Sequence, residues 1–322
     1  MSKCGFDIIG DVHGCAFTLV KLLEKLQYVK ERFDGERDAY WHPERKAVFV
    51  GDIVDRGPHI REALHIIKNM VDAGTAYCVM GNHEYNALAY TMEAPPESGR
   101  RFVREHNRRN NRIIAETLTQ FASFPEEWRM FLDWFQTLPV FLEFDDFRVV
   151  HACWDHALIK TFKETYNANC IDKAFIRQSW NEAAFAGRFI NRLTRGTTLT
   201  LPSGRMMTSR DGFQRKQFRT KFWSDAPATY KDVVFQPDPL PEDLLNREIS
   251  ESEHRQLLNY QEGEIPVFVG HYWLQGTPLP LQQNVACLDY SAVKFGRLVA
   301  YRFDCEPKLE PKKFVWVYVD PK

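Results

Sequence analysis

The chain of 322 residues has little that would commit it to a special environment. Its seven cysteines are odd in number and scattered (Cys4, Cys15, Cys78, Cys153, Cys170, Cys287, Cys305), with no C-x-x-C pair. That argues against a disulfide framework and for reduced thiols. Charge of one sign is also missing: 42 basic against 43 acidic residues give a formal net charge of -1. A surface tuned throughout to nucleic acid or acidic membranes is thereby excluded, and any anion must be met locally. There is no signal-peptide core, because Asp7 and Asp11 interrupt the first apolar run. The one long stretch without Asp, Glu, Lys or Arg, Ile265 to Leu288, carries too many Gln, Asn, Gly, Pro and His residues to span a bilayer and reads as strand and loop. Repeats and low-complexity tracts are absent. A cytoplasmic protein without a membrane partner is expected.

Three short strings are present instead: Gly10-Asp11-Val12-His13-Gly14, Gly51-Asp52-Ile53-Val54-Asp55-Arg56-Gly57 and Gly81-Asn82-His83-Glu84. Each follows an apolar run (Phe6 to Ile9, Ala47 to Val50, Ala76 to Met80) that reads as a buried strand. Helical patterns at Ala16 to Leu26, Ile60 to Ala73 and from about Glu84 alternate with these strands, so the first 90 residues predict a βαβαβ unit. In such sheets the motifs converge outside the carboxyl ends of the strands. Residues 100 to 138 predict a helical insertion, with Ile113, Ile114, Leu118 and Phe121 at helical spacing, and Trp128, Phe131, Trp134 and Phe135 as a core face. Arg100, Arg104, Arg108 and Arg112 at i, i+4 spacing predict a basic helical ridge.

Val140 to Phe144 and Arg148 to Ala152 predict a hairpin that delivers His151, and Pro266 to Val269 delivers His271 in the same way. Val285 to Asp289, Arg297 to Phe303 and Phe314 to Val319 predict an antiparallel run forming a second sheet. The fold class is α/β, with two packed mixed β-sheets flanked by helices. We expect a single domain over 1–322, with a helical insertion near 90–139 and a substrate-shaping one over 155–264. In the latter the pattern weakens around Leu201-Pro202-Ser203-Gly204 and Gln236-Pro237-Asp238-Pro239.

Asp11, His13, Asp52, Asn82, His151 and His271 offer oxygen and nitrogen donors without a thiolate, a set suited to two ions of Mn, Fe, Zn or Co, with Mn preferred. Two such cations hold a shared hydroxide at neutral pH and clamp an in-line displacement at phosphorus. The three strings resemble the signatures GDxHG, GDxxDRG and GNHE of the phosphoprotein phosphatase branch of calcineurin-like metallophosphoesterases, including bacterial serine/threonine phosphatases and symmetrical dinucleoside tetraphosphatases. The resemblance implies an αββα sandwich. It places Asp11, His13 and Asp52 at one metal, and Asp52, Asn82, His151 and His271 at the other. His83 would protonate the leaving oxygen with Asp55 orienting it, and Arg56 would grip the phosphate. A second arginine is implied too, and Arg219 in Gln217-Phe218-Arg219-Thr220-Lys221-Phe222-Trp223 is the candidate, set in a basic run that includes Arg210, Arg215 and Lys216.

One departure stands out: His151-Ala152-Cys153 replaces the H-G-G or H-A-G of the resembling groups, which implies ordinary φ and an inert buried thiol at Cys153. The expected activity is hydrolysis of phosphomonoesters on protein or small molecules. The alternative is hydrolysis of dinucleoside polyphosphates, and a reading of another class is a catalytically weak metal-binding adaptor. The partner is a phosphorylated protein, small molecule or nucleotide; nucleic acid is not expected, and the oligomeric state is not fixed.

Overall fold

A computed structural model describes residues 5–33, 35, 37–208, 214–235, 240–294 and 296–319. Cys4, Arg210 and Gln236-Pro237-Asp238-Pro239 lie outside the described residues. The strands at Gly5–Ile9, Arg45–Phe49 and Ala76–Cys78 run parallel, joined by the helices Ala16–Lys25 and Ile60–Asp72. A hairpin of Val29–Phe33 and Arg37–Trp41, which the alternation did not announce, sits in the first crossover. Its strands are mostly exposed, so they lack the apolar run by which the other strands are read.

The C-terminal strands correct one expectation. Arg297–Phe303 pairs antiparallel with Gly5–Ile9, and both Phe314–Tyr318 and Asp289–Tyr290 pair with Arg297–Phe303. They therefore extend the first sheet to six strands instead of founding the second. Alternation within a strand reports which face is buried, not which neighbour it bonds. The second sheet is built by the histidine-bearing strands, in the order Val285–Cys287, Val267–Val269, Arg148–Val150, Phe141–Glu143, the first three parallel and the last antiparallel.

The two sheets pack face to face. Ile8, Val48 and Val299 from the first meet Val149, Phe268 and Ala286 from the second in one buried cluster. Their neighbours on the opposite face, Ile9, Ala47, Phe49 and Ala300, are buried with Leu19, Leu22, Leu64 and Ile67 of the covering helices. Each Val, Ile, Leu or Phe among them contributes about 1.5–3 kcal/mol on full burial. A mixed two-sheet α/β sandwich results.

The helical block is displaced relative to its pattern. Its first helix is Arg108–Gln120, started by Asn107, whose side chain accepts the Asn110 N–H at 2.9 Å. Arg100 and Arg104 precede it in irregular chain, so only Arg108 and Arg112 share helical spacing. Leu118, expected in the core, is 36% exposed, while Thr117 beside it is fully buried. The second helix, Pro125–Phe135, buries Trp128, Phe131, Trp134 and Phe135 as its spacing predicts. Beyond the second sheet's hairpin, the helix Phe185–Arg195 leads into a ribbon of Thr197–Thr200 paired with Gln217–Thr220, which carries Arg219. Among the described residues no helix is long and apolar enough to cross a membrane.

Candidate metal centre

All three motif loops leave the parallel strands at one edge, and the second sheet brings His151 and His271 to the same place. The turns there are tight. Gly51 has φ +94, and a Cβ on it would lie 2.4 Å from the Gly81 nitrogen, so no other residue lets the two loops touch. His13, Asp52, Asp55, Arg56, His271 and Trp273 all have positive φ, a conformation that non-glycine residues keep where the surroundings hold them in place.

Much of that hold comes from Glu84, whose fully buried carboxylate accepts four backbone N–H groups: Asp52 at 2.8 Å, Ile53 at 2.8 Å, Val54 at 3.2 Å and Gly81 at 3.0 Å. Glu84 ties the second loop to the third. Burial, and then Asp52 nearby, push its carboxyl upward, while the N–H groups oppose that.

Asp52 is the centre of the cluster. Its Oδ2 lies 3.3 Å from His151 Nε2, 3.7 Å from His13 Nε2 and 3.8 Å from His83 Nε2, and its Oδ1 accepts the His83 N–H at 2.9 Å. Two donor groups share it: His13, Asp52 and His83, and Asp52, His151 and His271. His13 Nδ1 donates to the Val54 carbonyl at 2.8 Å and His151 Nδ1 to the Val50 carbonyl at 2.7 Å, which leaves each Nε2 with a lone pair turned inward. Asn82 Oδ1 lies 2.7 Å from His271 Nδ1 and 3.2 Å from His151 Nε2. With that oxygen inward, acceptor faces acceptor, an arrangement that a cation would satisfy. Turned over, the Asn82 amide would donate to both histidines and to the Thr194 carbonyl. The donors fit a metal of the kind that oxygen and imidazole prefer.

Burial, reinforced by Arg56, holds His13 well below the usual imidazole range, and burial with Arg219 does the same to His271. For His151 burial is the largest influence and acts downward, but the Asp52 carboxylate, the Val50 carbonyl and Glu84 together outweigh it and raise the ring. Asp11 belongs to neither donor group. Its carboxylate accepts the His271 N–H at 3.1 Å, and burial together with Asp289 and Asp52 raises it. Asp289, in the strand after Val285–Cys287, went unremarked in the sequence because no motif surrounds it; it accepts the Trp273 and Ser291 N–H groups, each at 2.9 Å.

His83 Nδ1 donates to Asp55 Oδ2 at 2.5 Å, and the other Asp55 oxygen accepts from the Thr117 hydroxyl. Thr117 thus reaches this pair from the helical insertion. A threonine spaced one turn from Ile113 and Ile114 was the available signal. Arg56 donates to Nε2 of His13 at 3.2 Å and of His83 at 3.0 Å, and its guanidinium lies over the Trp273 ring. Arg219 comes within 6.0 Å of the Tyr272 ring centroid and lines the same cavity, of about 900 Å³, as Asp52, Arg56, Asn82, His83 and His271. Tyr272 itself is buried under the site, donating to the Ala152 carbonyl at 2.9 Å. Cys153 is buried and ordinary in φ, and burial pushes its thiol up, so it is no nucleophile.

Residues 6–272 match the model of the calcineurin-like phosphoesterase family. The chain is 34% identical over 151 residues to an asymmetrical bis(5'-nucleosyl)-tetraphosphatase PrpE of Halalkalibacterium halodurans, covering 45% of this chain and 54% of that protein. It is 30% identical over 161 residues to a symmetrical bis(5'-nucleosyl)-tetraphosphatase of Vibrio vulnificus, covering 49% of each. The chain thus spans about half the length of the curated relatives it matches. A cold-active protein-tyrosine phosphatase of a Shewanella species superposes with a TM-score of 0.49 at 17% identity, over 98% of this chain and 80% of that one. With its motif loops converging at the edge of a two-sheet sandwich and the family match running through all of them, the chain belongs to the calcineurin-like phosphoesterase family.

Proposed function

We propose that this protein is a metal-dependent hydrolase of phosphate esters, acting on phosphomonoesters carried by protein or small molecules. The observation that carries the reading is the convergence of Asp52, Asn82, His151 and His271 beside the His83–Asp55 pair and Arg56, with Asp52, Asn82, His83, His271 and Arg56 lining one cavity. His13, Asp52, Asn82, His151 and His271, with Asp11 adjoining, would hold two ions, manganese first and iron, zinc or cobalt after it. Bound there, such ions supply an activated water and neutralise charge at phosphorus.

The chain's own groups do the rest. Arg56 and Arg219 bind the phosphate oxygens and set the phosphorus in line. His83 protonates the leaving oxygen from Nε2 once Arg56, which donates to that nitrogen, turns to the phosphate; Asp55 keeps the ring oriented through Nδ1, and Thr117 fixes Asp55. The insertion over 155–264 shapes the far wall of the cavity, through Arg195, Thr198 and Arg219, on a single domain. Thiols that are free at Cys15, Cys78, Cys153 and Cys287 suit a cytoplasmic location.

A second reading, hydrolysis of dinucleoside polyphosphates, is supported by the excess of cations around the cavity and by the printed activities of the two relatives. The test is an assay of manganese-loaded protein on an aryl phosphate and on diadenosine tetraphosphate, with products separated and a metal-stripped control. Metal-dependent release of orthophosphate from the aryl ester supports the first reading. Cleavage of the tetraphosphate alone moves the assignment to the second, and failure on both overturns the two together.

A further inference from the structure

The cavity continues away from the metal centre along the helix Asn82–Thr91. Asn86 lies on the same face as Asn82, one turn or about 5.4 Å further on. Its Oδ1 accepts from Arg195 Nη2 at 2.6 Å, Arg195 Nη1 donates to Asn191 Oδ1, and the guanidinium lies 5.7 Å from the Tyr85 ring centroid. Arg104 stands on the same wall, its backbone N–H bonded to the Ala89 carbonyl at 2.9 Å.

Every side-chain partner of Arg195 just named is neutral. Among the described residues neither Arg195 nor Arg104 forms an ion pair with a carboxylate, and Glu182 attracts both only from a distance. Burial, and then Arg195, push Arg104 down to about 10, and burial lowers Arg195 as well. The carbonyl end of the helix Phe185–Arg195 accounts for one cation there, since C-terminal turns favour positive charge. It does not account for a second beside it. Two part-buried guanidinium groups that line one cavity and repel each other, one of them bonded only to neutral amides, are costly until an anion joins them.

We propose that Arg104 and Arg195 form a second anion subsite, which takes a phosphoryl group linked to the one held at the metal centre. Ligands that carry two or more linked phosphoryl groups, such as inorganic oligophosphates and nucleoside polyphosphates, then bind more tightly than those with one, which favours the second of the two readings above. The inference rests on the metal centre being the hydrolytic site, and Arg109 and Arg112 continue the cationic wall toward the cavity mouth.

The test has two arms. Calorimetry of inorganic tripolyphosphate against the metal-stripped chain reads the subsite without any turnover. Inhibition of aryl phosphate hydrolysis by tripolyphosphate, adenosine triphosphate and orthophosphate, with free metal held constant, reads it in the loaded enzyme. Tripolyphosphate should outcompete orthophosphate by about tenfold or more, the scale of one or two charge-assisted hydrogen bonds. Arg104→Gln should remove most of that advantage and Arg104→Lys keep most of it. A tripolyphosphate no better than orthophosphate overturns the subsite, as does inhibition by the nucleotide alone, which would mean that the base is what is recognised. If aryl phosphate is not hydrolysed but tripolyphosphate binds in an Arg104-dependent way, the subsite stands and the hydrolytic reading falls.

Discussion

The guanidinium carbon of Arg56 lies 4.5 Å from the centroid of the Trp273 ring, and the Lys294 ammonium lies 3.9 Å from the same ring. An arginine that is otherwise exposed to the cavity is thus steadied by an aromatic face two residues after His271. Removing the ring should loosen the group proposed to grip phosphate. Trp273→Ala is expected to raise KM for an aryl phosphate by about 3- to 30-fold, the range of a cation–π contact, with a smaller change in kcat. Trp273→Phe should recover most of the loss. An unchanged KM in the alanine variant would show that Arg56 needs no such support.

Thr117 offers a second test, because its hydroxyl bonds the Asp55 oxygen that His83 does not use. Thr117→Val keeps the shape and deletes the bond. A hydrogen bond to a charged group is worth about 1.5–3 kcal/mol, so kcat should drop by about 10- to 100-fold while KM holds. Thr117→Ser restores the rate if the hydroxyl is what matters, and equal losses in both variants would point to packing.

Glu84→Gln should be damaging far beyond its single-atom change. Each carboxylate oxygen accepts two N–H groups, so either orientation of an amide turns its NH2 toward donors. A loss of about 3 kcal/mol in urea unfolding is expected, from buried donors left unsatisfied. A manganese titration should show weakened binding as well. Wild-type stability would mean that the loops are held by other contacts.

Protons should accompany metal binding in a way that the three imidazoles dictate. His13 and His271 are held below the ordinary value of 6.5, so at neutral pH they are already bare; His151 is held above it and keeps its proton to higher pH than they do. Binding should therefore release protons from these rings chiefly through His151, fewer than three in all, and affinity should rise with pH through the His151 titration and then level off. Calorimetry in buffers of different ionisation enthalpy measures that number. Release of about three protons would contradict the two lowered imidazoles.

The donors were legible in the sequence because each sits at a fixed offset from an apolar strand, and Asp52, His151 and His271 meet within one donor group. Partners that depend on what folds over the strands were not. Thr117 comes from a helix 62 residues beyond Asp55, and Asp289 follows a strand whose parallel neighbour is set by sheet order. Asp11 has an equally plain motif, and its carboxylate accepts the His271 N–H beside the two donor groups. The basic ridge failed for a local reason, since Asn107 starts the helix after Arg104; Arg104 nevertheless reaches the cavity from irregular chain. Pattern reading located the chemistry, while long-range register decided its company.

His13, Asp52 and Asn82 follow strands of one sheet, whereas His151 and His271 follow strands of the other. An ion held by both groups would be a rivet through the seam of the sandwich. A chain that had formed only one of its sheets would own half a ligand set, and its grip would be correspondingly weak. Retention of metal against a chelator during refolding would therefore serve as a clock for the docking of the two sheets, timed separately from the closure of either one.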